Sequence, residues 1–156
     1  MIRFKTLWLF VAVTVLLSCS NPKTRLMAER IKISGLKSAL TKLNNGQTEF
    51  NFIGITSNGI DCIYFINENG NFNIEFEAMV EEQIPFIEKL KGYAISKNYK
   101  FVLTTYNNKP KYKSNGPAPV IRIETNSTLD EITVIGTDIE KNIFKNNIEI
   151  VYDIVP

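Results

Sequence analysis

The chain has 156 residues, 18 Lys and Arg against 16 Asp and Glu, two cysteines and no histidine. That length suits one domain around one core. The missing histidine removes the commonest general base, the commonest metal ligand and any Ser-His or Cys-His pair. The near-balanced charge argues against a basic nucleic-acid surface.

The chain opens with Arg3 and Lys5, followed by the apolar run Leu7–Leu17. That run is far shorter than the ~20 residues a permanent helical span needs. A basic start, a short apolar stretch and a small-residue end form the pattern of a secretory signal. The stretch closes on Leu16-Leu17-Ser18-Cys19. This resembles the lipobox of bacterial lipoproteins, in which the cysteine becomes the first mature residue and is acylated through its sulfur. The resemblance implies a signal peptide over 1–18, a lipidated tether over 19–25 and a single domain over 26–156. An ordinary cleaved signal and an uncleaved anchor are the alternatives. Losing Arg3 and Lys5 lowers the basic count to 16, level with the acidic one, so the mature chain is formally neutral. Cys62 is then the only remaining thiol, with no intramolecular partner. Flanked by apolar residues in "IDCIYFI", it reads as a buried, inert thiol.

From Leu26 a helical pattern is predicted, with Ile33, Leu36, Leu40 and Leu43 on one stripe and Asn44-Asn45-Gly46 ending it. "TEFNFIGI" reads as a strand, and Asn58-Gly59 as a tight hairpin turn into "IDCIYFI". The latter is apolar on both faces and so belongs inside a sheet. "NENGN" turns the chain again, and "FNIEFEA" alternates, with Phe72, Ile74 and Phe76 inward and Asn73, Glu75 and Glu77 outward. A second helix is predicted over 82–97, with Pro85 in its first turn. "YKFVLTTY" is a strand, separated by the polar loop 107–119 from the strand "VIRIET". A third helix begins at Ser127, with Asp130 close to a capping box, and "IEIVYDIV" is the last strand. The fold class is therefore α+β. From residue 72 the order β-α-β-β-α-β predicts a ferredoxin-like antiparallel core, preceded by a helix and by a hairpin that joins one edge of the sheet.

Few residues suggest chemistry. Glu75 and Glu77 share a strand face about 7 Å apart, within reach of acid/base work or simply solvated. No acidic residues have the spacing of a metal loop, no glycine-rich loop cradles phosphate, and no cofactor is expected. The most distinctive surface segment is the loop, where Lys109, Lys111 and Lys113 alternate with Pro110 and Tyr112. An aromatic among lysines on a Pro-stiffened loop suits docking to an acidic partner, and a merely soluble loop is the alternative. In size and element order the body resembles small α/β immunity-type proteins. That resemblance implies a non-enzymatic module that neutralises a toxin by occlusion, held by lipid at the cell membrane or outer membrane and facing periplasm or cell surface. An accessory subunit of an envelope complex fits the same features, and a carboxylate-only enzyme acting on glycans is a third reading.

Overall fold

A computed structural model describes residues 29–106 and 117–156. In chain order they form β1 (Arg30–Lys32), α1 (Leu36–Asn44), β2 (Phe52–Thr56), β3 (Ile63–Glu68), β4 (Asn71–Glu77), α2 (Ile84–Ser96), β5 (Lys100–Tyr106), β6 (Ala118–Ser127), α3 (Leu129–Asn142) and β7 (Val151–Val155). The seven strands make one sheet in the order β1-β7-β2-β3-β4-β6-β5, with every neighbouring pair antiparallel. The protein is thus α+β, as its element order predicts.

Alternation decides which face is buried. Ile53 and Ile55 of β2, Ile63 and Phe65 of β3, Phe72, Ile74 and Phe76 of β4, and Ile121 and Ile123 of β6 all enter one core cluster. Leu36, Leu40 and Leu43 of α1, Ile87 and Leu90 of α2, and Ile132, Ile135 and Ile139 of α3 meet them there. All three helices therefore pack on one face of the sheet. Gly136 is the point of closest approach. A Cβ there would lie 2.8 Å from the Phe65 ring and 2.9 Å from Leu36 Cδ2. A glycine that weakens the helix by propensity is thus required by packing.

The structure differs from several of these expectations. The first helix starts at Leu36 rather than Leu26. Arg30–Lys32 instead pair with β7 as an edge strand, and a 3-10 turn over Ile33–Gly35 leads into α1. Ile33 belongs to that turn, while Leu36, Leu40 and Leu43 are helical and buried. The third helix is capped by Thr128, not Ser127. Thr128 Oγ1 accepts from the Glu131 N–H at 3.4 Å, and the Thr128 N–H donates back to Glu131 at 2.8 Å. This is a complete capping box one residue further on, and Asp130 pairs instead with Lys37 of α1. Asn73, expected to face outward, is buried. It fills an irregularity in the β4–β6 pairing, accepting from the Asn126 N–H at 3.1 Å and donating to Glu68 at 2.8 Å.

The β2–β3 hairpin, expected at an edge, lies inside the sheet. Asn69 and Gly70 both adopt positive φ, the two-residue turn that binds β3 tightly to β4. With β2 paired to β3 as well, the three strands form a meander whose free side is β2. β7 takes that side, and β1 pairs with β7 beyond it. The connection between β2 and β3 is also wider than a tight Asn-Gly turn, running over 57–62.

Candidate functional site

The sheet face away from the helices holds a recess of about 430 Å³, lined by Phe52, Tyr64, Ile66, Glu75, Glu77 and Arg122 among others. Strand register assembles it. Tyr64 stands opposite Glu75, and Glu75 opposite Arg122, so β3, β4 and β6 each contribute a side chain to one row. Gly54 of β2 stands opposite Tyr64. A Cβ on Gly54 would lie 2.8 Å from Tyr64 Cε1 and 2.6 Å from Val155 Cγ2. The missing side chain lets the tyrosine ring lie against the β2 backbone. Phe52 meets the Tyr64 ring edge-on at 5.9 Å between centroids and stacks on Phe50 at 5.3 Å, giving an aromatic platform.

The polar side of the recess is an ion pair. Arg122 donates to Glu68 at 2.6 Å, and this hydrogen bond holds the Glu68 carboxyl below its usual range and raises the guanidinium. Both partners are partly exposed, so the pair contributes at most about 1 kcal/mol. Burial pushes the Tyr64 phenol well up, which keeps it neutral and able both to donate and to accept. Burial likewise raises the Cys62 thiol. Cys62 is half-buried rather than fully enclosed, and its protonated state makes it a poor nucleophile. Such a surface offers shape, aromatic contact and hydrogen bonds.

Beside this face runs β5, at the end of the sheet and paired with β6. Edge strands present unpaired backbone groups that accept an added strand. Val102 and Leu103 are each 47% exposed in its middle. The opposite edge, β1, has three residues, and its Arg30 and Lys32 are ion-paired to Asp153 and Glu149.

Of the residues singled out in the sequence, Glu75 and Glu77 line the recess together. Cys19 and the loop residues Lys109, Lys111, Tyr112 and Lys113 lie outside the described residues. No protein-family model, characterised protein or solved structure matches the chain.

A second polar centre escaped the sequence reading, at the junction of the 57–62 connection with α2, α3 and β7. Asp61 is 2% exposed. It accepts from Thr56 Oγ1 at 2.8 Å, from the Ser57 N–H at 2.8 Å, from the Ser57 hydroxyl and from Asn146 Nδ2 at 2.7 Å. Buried Gln83 joins the same connection to α2, its Nε2 donating to the Ile60 carbonyl at 3.0 Å while its Oε1 accepts from the Met79 and Val80 N–H groups. Asn146 also donates to Glu140 Oε2 at 2.9 Å. A faint signal existed for Glu140. It follows Gly136 by four residues and so continues the buried stripe of α3. Gln83 and Asn146 also bond near neighbours, but their ties to the 57–62 connection span 23 and 85 residues of chain, which no local pattern marks.

Proposed function

We propose that the protein is a lipid-anchored binding module of the bacterial envelope, docking a protein partner along β5 and the adjoining sheet face. The observation that supports this most is the long edge strand with exposed Val102 and Leu103. A partner segment added there gains main-chain hydrogen bonds from the edge and side-chain contact on either face. The aromatic platform of Phe52 and Tyr64 extends the apolar contact, and the sequence places Lys109, Lys111, Tyr112 and Lys113 directly after β5. The immunity-type reading makes the partner a toxin whose active region is occluded. The accessory-subunit reading uses the same surface for a permanent envelope neighbour. In architecture we read residues 71–155 as a ferredoxin-like unit widened by an inserted hairpin. The β4-α2-β5 unit with β6 between its strands supports this reading.

Binding to, and neutralisation of, a secreted toxin encoded beside this gene tests the immunity reading. Wild type is expected to bind and protect. Val102→Lys is expected to bind at least about tenfold more weakly, a loss of about 1.4 kcal/mol, with unchanged thermal stability. Tyr112→Ala is expected to weaken binding in the same way. Equal affinity in both variants removes this edge and loop as the docking surface. Partnership with an abundant envelope component in place of a toxin favours the accessory reading.

The anchor has its own test. Cys19→Ala is expected to release the protein from the membrane fraction or to leave an uncleaved precursor, because acyl chains supply about 0.8 kcal/mol per buried methylene. Processing and partitioning identical to wild type overturns the lipobox reading.

A further inference from the structure

Glu140 sits on α3 with 1% of its surface exposed, and Tyr152 of β7 is fully buried. Among the described residues, neither Glu140 Oε1 nor the Tyr152 hydroxyl has a hydrogen-bond partner of good geometry, although each perturbs the other's titration and so lies close by. A single amide, Asn146 Nδ2, joins Glu140 Oε2 to Asp61 Oδ2 at 2.9 and 2.7 Å. Two buried carboxylates therefore share one donor. They compete for charge, since both cannot ionise cheaply in a low-dielectric site.

Hydrogen bonding decides which one keeps the charge. Asp61 receives donors from Thr56, Ser57, Asn58 and Asn146 on its two oxygens. Among the described residues, the one well-formed hydrogen bond Glu140 accepts is from the Asn146 amide on Oε2, with the Tyr152 hydroxyl as its other polar neighbour. The other titratable groups that act on Glu140 or feel its charge are Cys62 beside Asp61 and Tyr152 on β7, neither of them cationic. The elements packed against α3 turn apolar side chains inward, Leu36, Ala39, Leu40 and Leu43 from α1 and Phe72, Ile74 and Phe76 from β4. A metal ion finds too few open ligands here, because the Asp61 oxygens are already occupied. The species that fits is a proton.

We infer that a proton on Glu140 is a latch: in the neutral form its unpartnered oxygen carries a hydrogen for the Tyr152 hydroxyl and the 57–62 connection stays tied to α3 and β7, whereas ionisation sets two negative charges on one amide and releases that connection. Burial pushes the Glu140 carboxyl up to about 7 from an ordinary 4.5, so the transition falls near neutrality. The sign follows from linkage. The folded protein holds this proton more tightly than the unfolded chain, so the contribution is complete below about pH 4.5 and is lost as pH rises through about 7. The inference is independent of what docks at β5.

Amide hydrogen exchange at residues 57–62 and 143–150, corrected for the intrinsic pH dependence of exchange, tests it. In wild type, protection of these amides is expected to fall about thirtyfold between pH 5.5 and pH 9, as linkage gives for a carboxyl at 4.5 unfolded and about 7 folded. Glu140→Gln, which cannot ionise, is expected to keep protection constant over that range. Constant protection in wild type, or an equal fall in Glu140→Gln, overturns the latch. Should the variant fail to fold, carboxyl carbon NMR of wild type decides alone. A Glu140 midpoint near 7 supports the inference, and one near 4.5 overturns it.

Discussion

Phe76→Ala is expected to destabilise the protein by about 3–5 kcal/mol, read as a fall in the denaturant midpoint at constant slope. Phe76 is fully buried near the C-terminal end of β4. Its ring meets Phe86 at 6.3 Å and Phe144 at 5.7 Å between centroids, and those two meet each other at 4.9 Å. The three rings come from β4, α2 and the segment following α3. Truncating the middle one removes the transfer free energy of a phenyl group and leaves a hole that two other elements border. Neither can close it alone, because Phe86 is held by its helix and Phe144 by the turn that follows Asn142. Aromatic contacts add about 0.5–1.5 kcal/mol per pair beyond area. A loss under about 1 kcal/mol would show that the ring is not enclosed by these partners.

Asp61→Ala is expected to cost about 3 kcal/mol near neutral pH, with the largest effect on the 57–62 connection. The substitution leaves the Ser57 N–H, the Thr56 hydroxyl and one Asn146 amide hydrogen without their acceptor. Each buried donor so orphaned costs about 1–3 kcal/mol, and water recovers part of that near the surface. The pH dependence identifies the cause. Burial alone would raise this carboxyl, but hydrogen bonds from Ser57, Thr56 and Asn146 outweigh it and hold the carboxyl below its ordinary value of 3.8. A depressed pKa stabilises the fold above that value and loses the contribution as pH falls through the folded-state value. The gap between wild type and Asp61→Ala is therefore expected to narrow in acid. A gap that stays constant down to pH 2 would mean that the carboxylate charge is not what organises the connection.

These two positions differ in how far the sequence reveals them. Phe76 was legible because strict alternation in "FNIEFEA" assigns it a face, and a face in a sheet backed by helices means burial. The same logic misplaced Asn73. Alternation marks it as outward, but a register shift against β6 gives its side chain backbone and carboxylate partners. Asp61 was visible as an acid next to Asn58-Gly59, yet its role depends on Asn146, 85 residues away in the chain. The Thr128 cap was missed by a single residue, since Ser127 and Thr128 satisfy the same local rule and only the phase of the helix separates them. The recess had one legible part, the pair Glu75 and Glu77. Its aromatic side required the register that sets Gly54 against Tyr64.

Apart from the edge strand β1, which the helical pattern from Leu26 absorbs, local chemistry in the chain was sufficient for the element types, their order, the inward faces of the strands and the α+β class. Periodicity and turn residues act over a few neighbours, and those are present in the sequence itself. Strand order, by contrast, was decided by tertiary structure. The meander made by the tight Asn69-Gly70 turn leaves one side of β2 open, and β7, far along the chain, pairs there. The buried carboxylates belong to the same category. Whether Glu140 is charged depends on which donors the folded chain brings to it and which it brings to Asp61, and that allocation exists only once distant segments meet.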